Sequence, residues 1–178
     1  MQIQAHPLEP FFHHEVHSIF EGKLGLTDPA VIGYISRVLC GFSEEGSLFL
    51  KSGSGGHSLE ELVGMMRASD PVFGTAPSFD AERAMRKYVG DYSLFVAGMV
   101  PEALDAEVGP KSRRPTLSEL IRAGKESYYV VSQFNVFEYK KDAPMFARLC
   151  DQFERYILGL ALVREELGKR LAPHPQFG

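Results

Sequence analysis

No tryptophan occurs in the chain, cysteine appears twice, and no apolar run reaches the length of about 18 residues that a membrane-crossing helix needs. The two cysteines, Cys40 and Cys150, lack the short spacing of a metal or redox pair and fall inside helical patterns. They read as small core or flank residues of a protein in a reducing compartment. A surplus of basic charge is missing too. Lys and Arg number 19 against 23 Asp and Glu, a net charge of -4, so no overall field draws nucleic acid. The one basic cluster, Lys111, Arg113 and Arg114 between Pro110 and Pro115, is too small for a duplex footprint and reads as a solvated loop. The opening stretch MQIQAHPLEP shows no basic region followed by an apolar run, so the expectation is no signal peptide and a cytoplasmic location.

Catalytic signatures are equally scarce. The Gly-rich stretch at 53–56 fails as a P-loop, because Leu50 and not glycine precedes Lys51, and as a dinucleotide loop, because position 58 is Ser58. It reads as a flexible connector over 52–57. No nucleophile elbow occurs, and neither Cys nor Ser carries a local catalytic signature. The expectation is no cofactor and a non-enzymatic role in preference to an enzyme.

What the chain does have is a composition for a packed core: 44% hydrophobic and 24% charged, with 13 Phe and 7 Tyr. At 178 residues it fits one domain that buries roughly 70% of its unfolded surface. The stretch Tyr88 to Glu102, YVGDYSLFVAGMVPE, is nearly free of charge. Met85, Tyr88, Tyr92, Phe95 and Met99 step by three and four along it and stack on one helical face. The opposite face carries Gly90, Leu94 and Ala97 where charge would be usual, so a second element should pack closely there. This predicts a buried central helix over about 80–100.

Around it the periodicity predicts five further helices. The first runs from Glu9 to Gly22, with Phe12, Val16, Ile19 and Phe20 inward. The second starts at the Asp28 cap and Pro29 and buries Val31, Ile35, Val38, Leu39 and Phe42, with Leu48 to Leu50 open to a short extended piece. Ser58 with Glu61 and Thr116 with Glu119 have capping-box spacing and open two more, the latter burying Leu117, Leu120, Ile121, Gly124, Tyr128 and Val131. The last and longest starts at Asp142 and Pro144, with Phe146, Leu149, Phe153, Tyr156, Leu160, Val163 and Leu167 in unbroken steps of three and four. The fold expected is all-α, a single-domain bundle of about six helices, with a polar loop at 103–115 and a frayed tail at 172–178.

Among polar residues, Asp91 stands out. It lies on the border between the two packed faces of the central helix, where a carboxylate must be paired or hydrogen-bonded. Lys125, Arg164, Ser127 and Tyr128 are candidate partners, and Asp91, Tyr92, Lys125, Ser127 and Tyr128 form the candidate ligand site. Asp91 serves either to tie helices or to bind and react. His13 and His17 stand four apart on the first helix and are the weak candidates for a metal. On a helical wheel His13, His14 and His17 do not converge, and a third ligand would have to come from elsewhere, such as His57.

The motif Gly90-Asp91, Leu94-Phe95, Gly98, followed by Gly124 and Tyr128, resembles an uncharacterised family of bacterial, all-helical cytosolic proteins. The resemblance covers the second half of the chain and implies the helical fold. It carries over no catalytic residue. Tyr92 and Ala97 depart from it, standing where Thr and Ser are frequent.

Two functions follow as expectations. The first is a helical protein that self-associates into a homo-oligomer, burying surplus apolar surface of its two heptad-patterned helices, or that binds a protein partner. The second is a bundle holding a small apolar or aromatic ligand beside Asp91. Neither involves nucleic acid or a membrane.

Overall fold

The computed structural model describes residues 7–52, 56–105 and 109–171, with the backbone alone over 44–52 and at 171. Among them are seven α-helices, two 3-10 turns and no strand. The helices are α1 (Glu9–Leu24), α2 (Pro29–Ser52), α3 (Leu59–Ala68), α4 (Phe79–Met99), α5 (Leu117–Ser132), α6 (Ala143–Asp151) and α7 (Phe153–Leu171). The all-α expectation and the central helix both hold: α4 touches α2, α3, α5 and α7, and every residue from Val89 to Gly98 is buried.

The helix starts follow local chemistry. Asp28 Oδ1 accepts from the Ala30 and Val31 amides at 3.1 and 3.3 Å, and Ser78 Oγ accepts from Ala81 N–H at 3.1 Å. Thr116 and Glu119 close a full capping box. Ser58 makes only half of one, because the Glu61 carboxylate turns to His57. Pro101 stops α4 and begins a 3-10 turn over Pro101–Asp105, since it has no N–H to continue the ladder.

Several boundaries differ from the sequence reading. Helix α1 runs past Gly22 to Leu24 and stops at Gly25, whose left-handed φ of 64° lets its N–H cap the Phe20 carbonyl. Helix α2 continues through Leu48 to Leu50 as far as Ser52, so no extended piece docks there. Of the expected connector at 52–57, residues 53–55 lie outside the described ones, as do 106–108 of the polar loop and all of the expected tail at 172–178. The basic cluster is not wholly solvated: Arg113 clamps Glu119 through two contacts of 2.7 and 2.8 Å, while Arg114 is 9% exposed and donates to the Gly56 carbonyl.

The expected last helix is two. Gln152 leaves the helical region at φ -113°, ψ 23°, so α6 ends and α7 begins with no proline or glycine to announce it. The apolar stripe survives the break, with Phe146, Leu149, Phe153, Tyr156, Leu160 and Val163 all buried. On α5 the inward face is also as read, except that Leu117 at its start is 46% exposed.

Small residues let α4 meet its neighbours. A Cβ on Gly90 would fall 2.5 Å from the Tyr128 ring, and one on Gly124 would fall 2.4 Å from Phe153 Cζ. These two contacts allow Tyr128 and Phe153, both fully buried, to fill the seam between α4, α5 and α7. Gly90→Ala should therefore destabilise by about 1–3 kcal/mol in urea unfolding, because a rigid buried ring must shift. Gly64→Ala in α3, where nothing lies within 4 Å of the new methyl, should instead stabilise by about 0.5–1 kcal/mol.

Candidate ligand site beside Asp91

Asp91 sits near the middle of the buried run of α4, and its neighbours supply donors. Tyr34 of α2 and Tyr128 of α5 both donate to its Oδ1, at 2.5 and 2.8 Å. Lys87, one helical turn back, reaches Oδ2 at 3.2 Å. Helices α2, α4 and α5 are thus tied at one carboxylate. Behind the tyrosines, Phe146 of α6 meets the Tyr34 ring edge-on at 5.2 Å between centroids and the Tyr128 ring at 5.7 Å.

Burial dominates the electrostatics. It lifts the Asp91 carboxyl above its ordinary 3.8, and the Lys87 ammonium and then the Tyr34 and Tyr128 hydrogen bonds pull the other way without cancelling it. Burial and the neighbouring carboxylate push both phenols well above their ordinary 10.0, so they stay protonated and remain donors.

The knot is also the floor of an opening. A cleft of about 580 Å³ between α2, α4 and α6 exposes an edge of Asp91 and Tyr34, with Arg37, Arg83, Lys87 and Asp142 around it. Arg83, Lys87 and Asp91 share one face of α4 at successive turns. Arg83 rests with its Cζ 4.1 Å from the Tyr139 ring centroid and 5.5 Å from that of Phe146. Tyr139 is held in turn by donating to Asp80 at 2.8 Å. It belongs to the 3-10 turn Phe137–Lys141, which opens with Phe137 at φ 50°, a left-handed value that a bulky aromatic adopts at some cost. Lys87 Nζ and Arg37 Cζ lie 5.4 and 6.0 Å from the Tyr34 ring centroid.

Of the residues read from sequence as a site, Asp91 and Tyr128 do meet. The others do not join them. The Tyr92 hydroxyl instead accepts the His57 amide at 2.7 Å. Lys125 pairs with Glu154 at 2.9 Å, and Arg164 with Glu102 at 3.0 Å. Ser127 is fully buried, and its hydroxyl finds no partner among the described residues. Sequence reading missed Tyr34, Lys87, Arg83 and Arg37. Lys87 could have been found from its spacing to Asp91. Tyr34 lies within the periodicity of Val31 and Val38, yet nothing in one chain's pattern says which helix faces Asp91.

The histidines stand apart. His13 and His17 are exposed, their rings 6.1 Å apart, and His17 pairs with Glu21 at 2.7 Å. Among the described residues no three His, Cys, Asp or Glu side chains come together as a metal would need. His57 is fastened elsewhere, with Nδ1 2.8 Å from Glu61 and Nε2 2.7 Å from the Tyr88 hydroxyl. This carboxylate, imidazole and phenol chain closes the start of α3 onto α4.

Comparison of the chain with family models, with curated proteins and with solved structures finds no match. The resemblance noted above therefore stands on its motif residues alone, and the cleft has to be interpreted from its own chemistry.

Removing the carboxylate separates its roles. Asp91→Ala strands two buried phenol hydroxyls and should cost about 1–3 kcal/mol for each in thermal or urea unfolding, whereas Asp91→Asn keeps an acceptor oxygen and should cost less. The folded protein holds the Asp91 proton more tightly than the unfolded chain does. Its contribution to stability therefore falls as pH rises from 3.8 towards the raised value. Across that window the stability difference should move steadily in favour of Asp91→Asn, and a pH-independent difference would contradict the raised carboxyl.

Proposed function

We propose that the chain is a ligand-binding helical protein whose site is the cleft beside Asp91. The ligand class is a small molecule that joins an aromatic or apolar body to a carboxylate or phosphate group. One observation carries this reading: Arg83 lies in the cleft with its Nε buried and unpartnered, and with no carboxylate within ion-pair distance among the described residues. A guanidinium nitrogen withdrawn from water without a partner is costly, and an anionic ligand at the cleft supplies the missing charge.

Other features agree. Lys87 is occupied by Asp91, so Arg37 and Arg83 outweigh the single remaining carboxylate of Asp142. The amino end of α6 also borders the cleft, and Asp142 stands there without a side-chain cap hydrogen bond. Phe42, Met145 and Phe146 provide apolar wall for a ring. The cleft volume of about 580 Å³ lies in the range of small-molecule sites, roughly 300–1,000 Å³. In this reading Asp91 and the tyrosines set the floor, and the arginines choose the charge of what enters.

Benzoate and phenyl phosphate are suitable probes, with toluene as the neutral counterpart. Calorimetry should show the anions binding and toluene not. Arg83→Met keeps the packing against Tyr139 while removing the charge, and should weaken the anions about tenfold or more, equivalent to about 1.4 kcal/mol, with unchanged helicity by circular dichroism. Equal affinity in the variant, or a preference for toluene, would overturn the anion assignment. Native mass spectrometry of the purified protein should reveal any small molecule that accompanies it.

A further inference from the structure

Away from that cleft, a groove of about 690 Å³ runs between α3, α4 and α5, with Leu59, Leu62, Val63, Met66 and Ala123 along its apolar part. Arg86 and Glu126 also border a second hollow of about 390 Å³, walled by Tyr129, Val130 and Cys150. The two hollows adjoin at Arg86 and Glu126, which line both, and together make a trough with an apolar part on either side of Arg86.

Three arginines and three carboxylates line the larger groove, yet Arg86 is not paired with any of them. Arg86 donates through Nε to Ser69 Oγ at 3.1 Å, but its Nη1 is buried with no partner. Glu82, Glu126 and Asp70 are near enough to be felt, yet none comes within ion-pair distance. The carboxylates on the rim are already engaged. Glu119 is held twice by Arg113, Glu126 takes Arg122 Nε at 3.2 Å, and Asp70 Oδ1 accepts the Val72 and Phe73 amides at 2.7 and 3.0 Å. Arg67 on the same rim makes no ion pair among the described residues.

One side of the trough carries a rigid display of apolar surface. Besides the two bonds to Asp70 Oδ1, the Gly74 amide donates to the Asp70 carbonyl at 2.8 Å and the Thr75 amide to the Ala68 carbonyl at 3.1 Å. A Cβ on Gly74 would lie 2.3 Å from the Arg67 carbonyl, so only glycine closes this turn. The turn holds Val72 and Phe73 outward, 68% and 93% exposed. A backbone turn fixed in advance lowers the ordering cost when the side chains it carries are covered.

We propose that this trough docks an amphipathic helix of a partner protein, in which an acidic residue is flanked on the same face by apolar residues one turn before and one turn after it. The carboxylate meets the Arg86 guanidinium, the apolar residues enter the two hollows, and Phe73 closes over the helix. Charge complementarity selects this occupant: Arg86 keeps a buried nitrogen without a partner, Arg67 has no ion pair among the described residues, and Glu119 and Glu126 on the rim are each held by another arginine. Helices recognised in grooves present their anchors at this one-turn spacing.

The test uses the full chain and a pair of fluorescein-labelled helical peptides, alanine-rich, with leucines one turn either side of a central Glu in one and a central Gln in the other. Fluorescence anisotropy should give the Glu peptide an affinity about tenfold or more above the Gln peptide, a difference of about 1.4 kcal/mol. Arg86→Gln should erase that difference, Arg86→Lys should keep part of it, and Phe73→Ser should weaken both peptides alike. Because the readout is the ratio between two peptides on one protein, a modest loss of stability in a variant does not mimic it. The proposal is overturned if the two peptides bind equally, or if neither binds at millimolar concentration. It is also overturned if light scattering shows a dimer that Phe73→Ser dissolves, since a second copy would then be the occupant.

Discussion

A carboxylate buried in the middle of a helix that is packed on all sides sets the terms for the helices around it. Asp91 is tolerated in α4 because α2 brings Tyr34, α5 brings Tyr128 and its own helix brings Lys87. Each of those donors has to arrive at a fixed distance, which fixes how α2 and α5 lie against α4. The tyrosines can reach the oxygen because Gly90 leaves room for the Tyr128 ring to cross the α4 backbone. Hydrogen bonding and close packing are in this way one constraint: enlarging Gly90 would push away the phenol that makes Asp91 affordable.

Electrostatic surplus then distinguishes the two faces of the molecule. Many exposed acids and bases form surface ion pairs, as Lys125 does with Glu154 and Arg164 with Glu102, and such pairs contribute little. Arg83 and Arg86 differ, because each is partly withdrawn from water with one nitrogen unpartnered. On α4 Arg83 lines the cleft with α2 and α6, whereas Arg86 lines the groove with α3 and α5. The small cleft with its aromatic wall suits a small molecule, and the longer trough with an apolar pocket at each end suits a helix. Apolar surface is buried where α4 meets α7, while Phe73 and Phe137 are exposed on turns and Phe11, Phe79, Tyr129 and Leu158 are exposed on helices.

The fold was largely legible. Stripes at steps of three and four in α1, α2, α4 and α7 need only the geometry of one helix, and the caps at Asp28, Ser58 and Thr116 need only residues a turn away. The break at Gln152 was invisible because no local breaker marks it, and the stripe continues across it in register. The end of α2 was misjudged because glycines that weaken an isolated helix do not by themselves decide where a helix stops.

The candidate site divides in the same way. That Asp91 must have partners, and that Tyr128 was among the possible ones, followed from the residues themselves, since a charge on a buried face cannot go unpaired. Which partners it took depended on the rotation and crossing of separate helices. That arrangement brought Tyr34 across fifty-seven positions of sequence, turned Tyr92 towards His57, and carried Lys125 off to Glu154. Periodicity settles which side of a helix faces inward, because it is a property of one helix. Only packing settles what it faces, because the energy that chooses belongs to contacts between segments far apart in the chain.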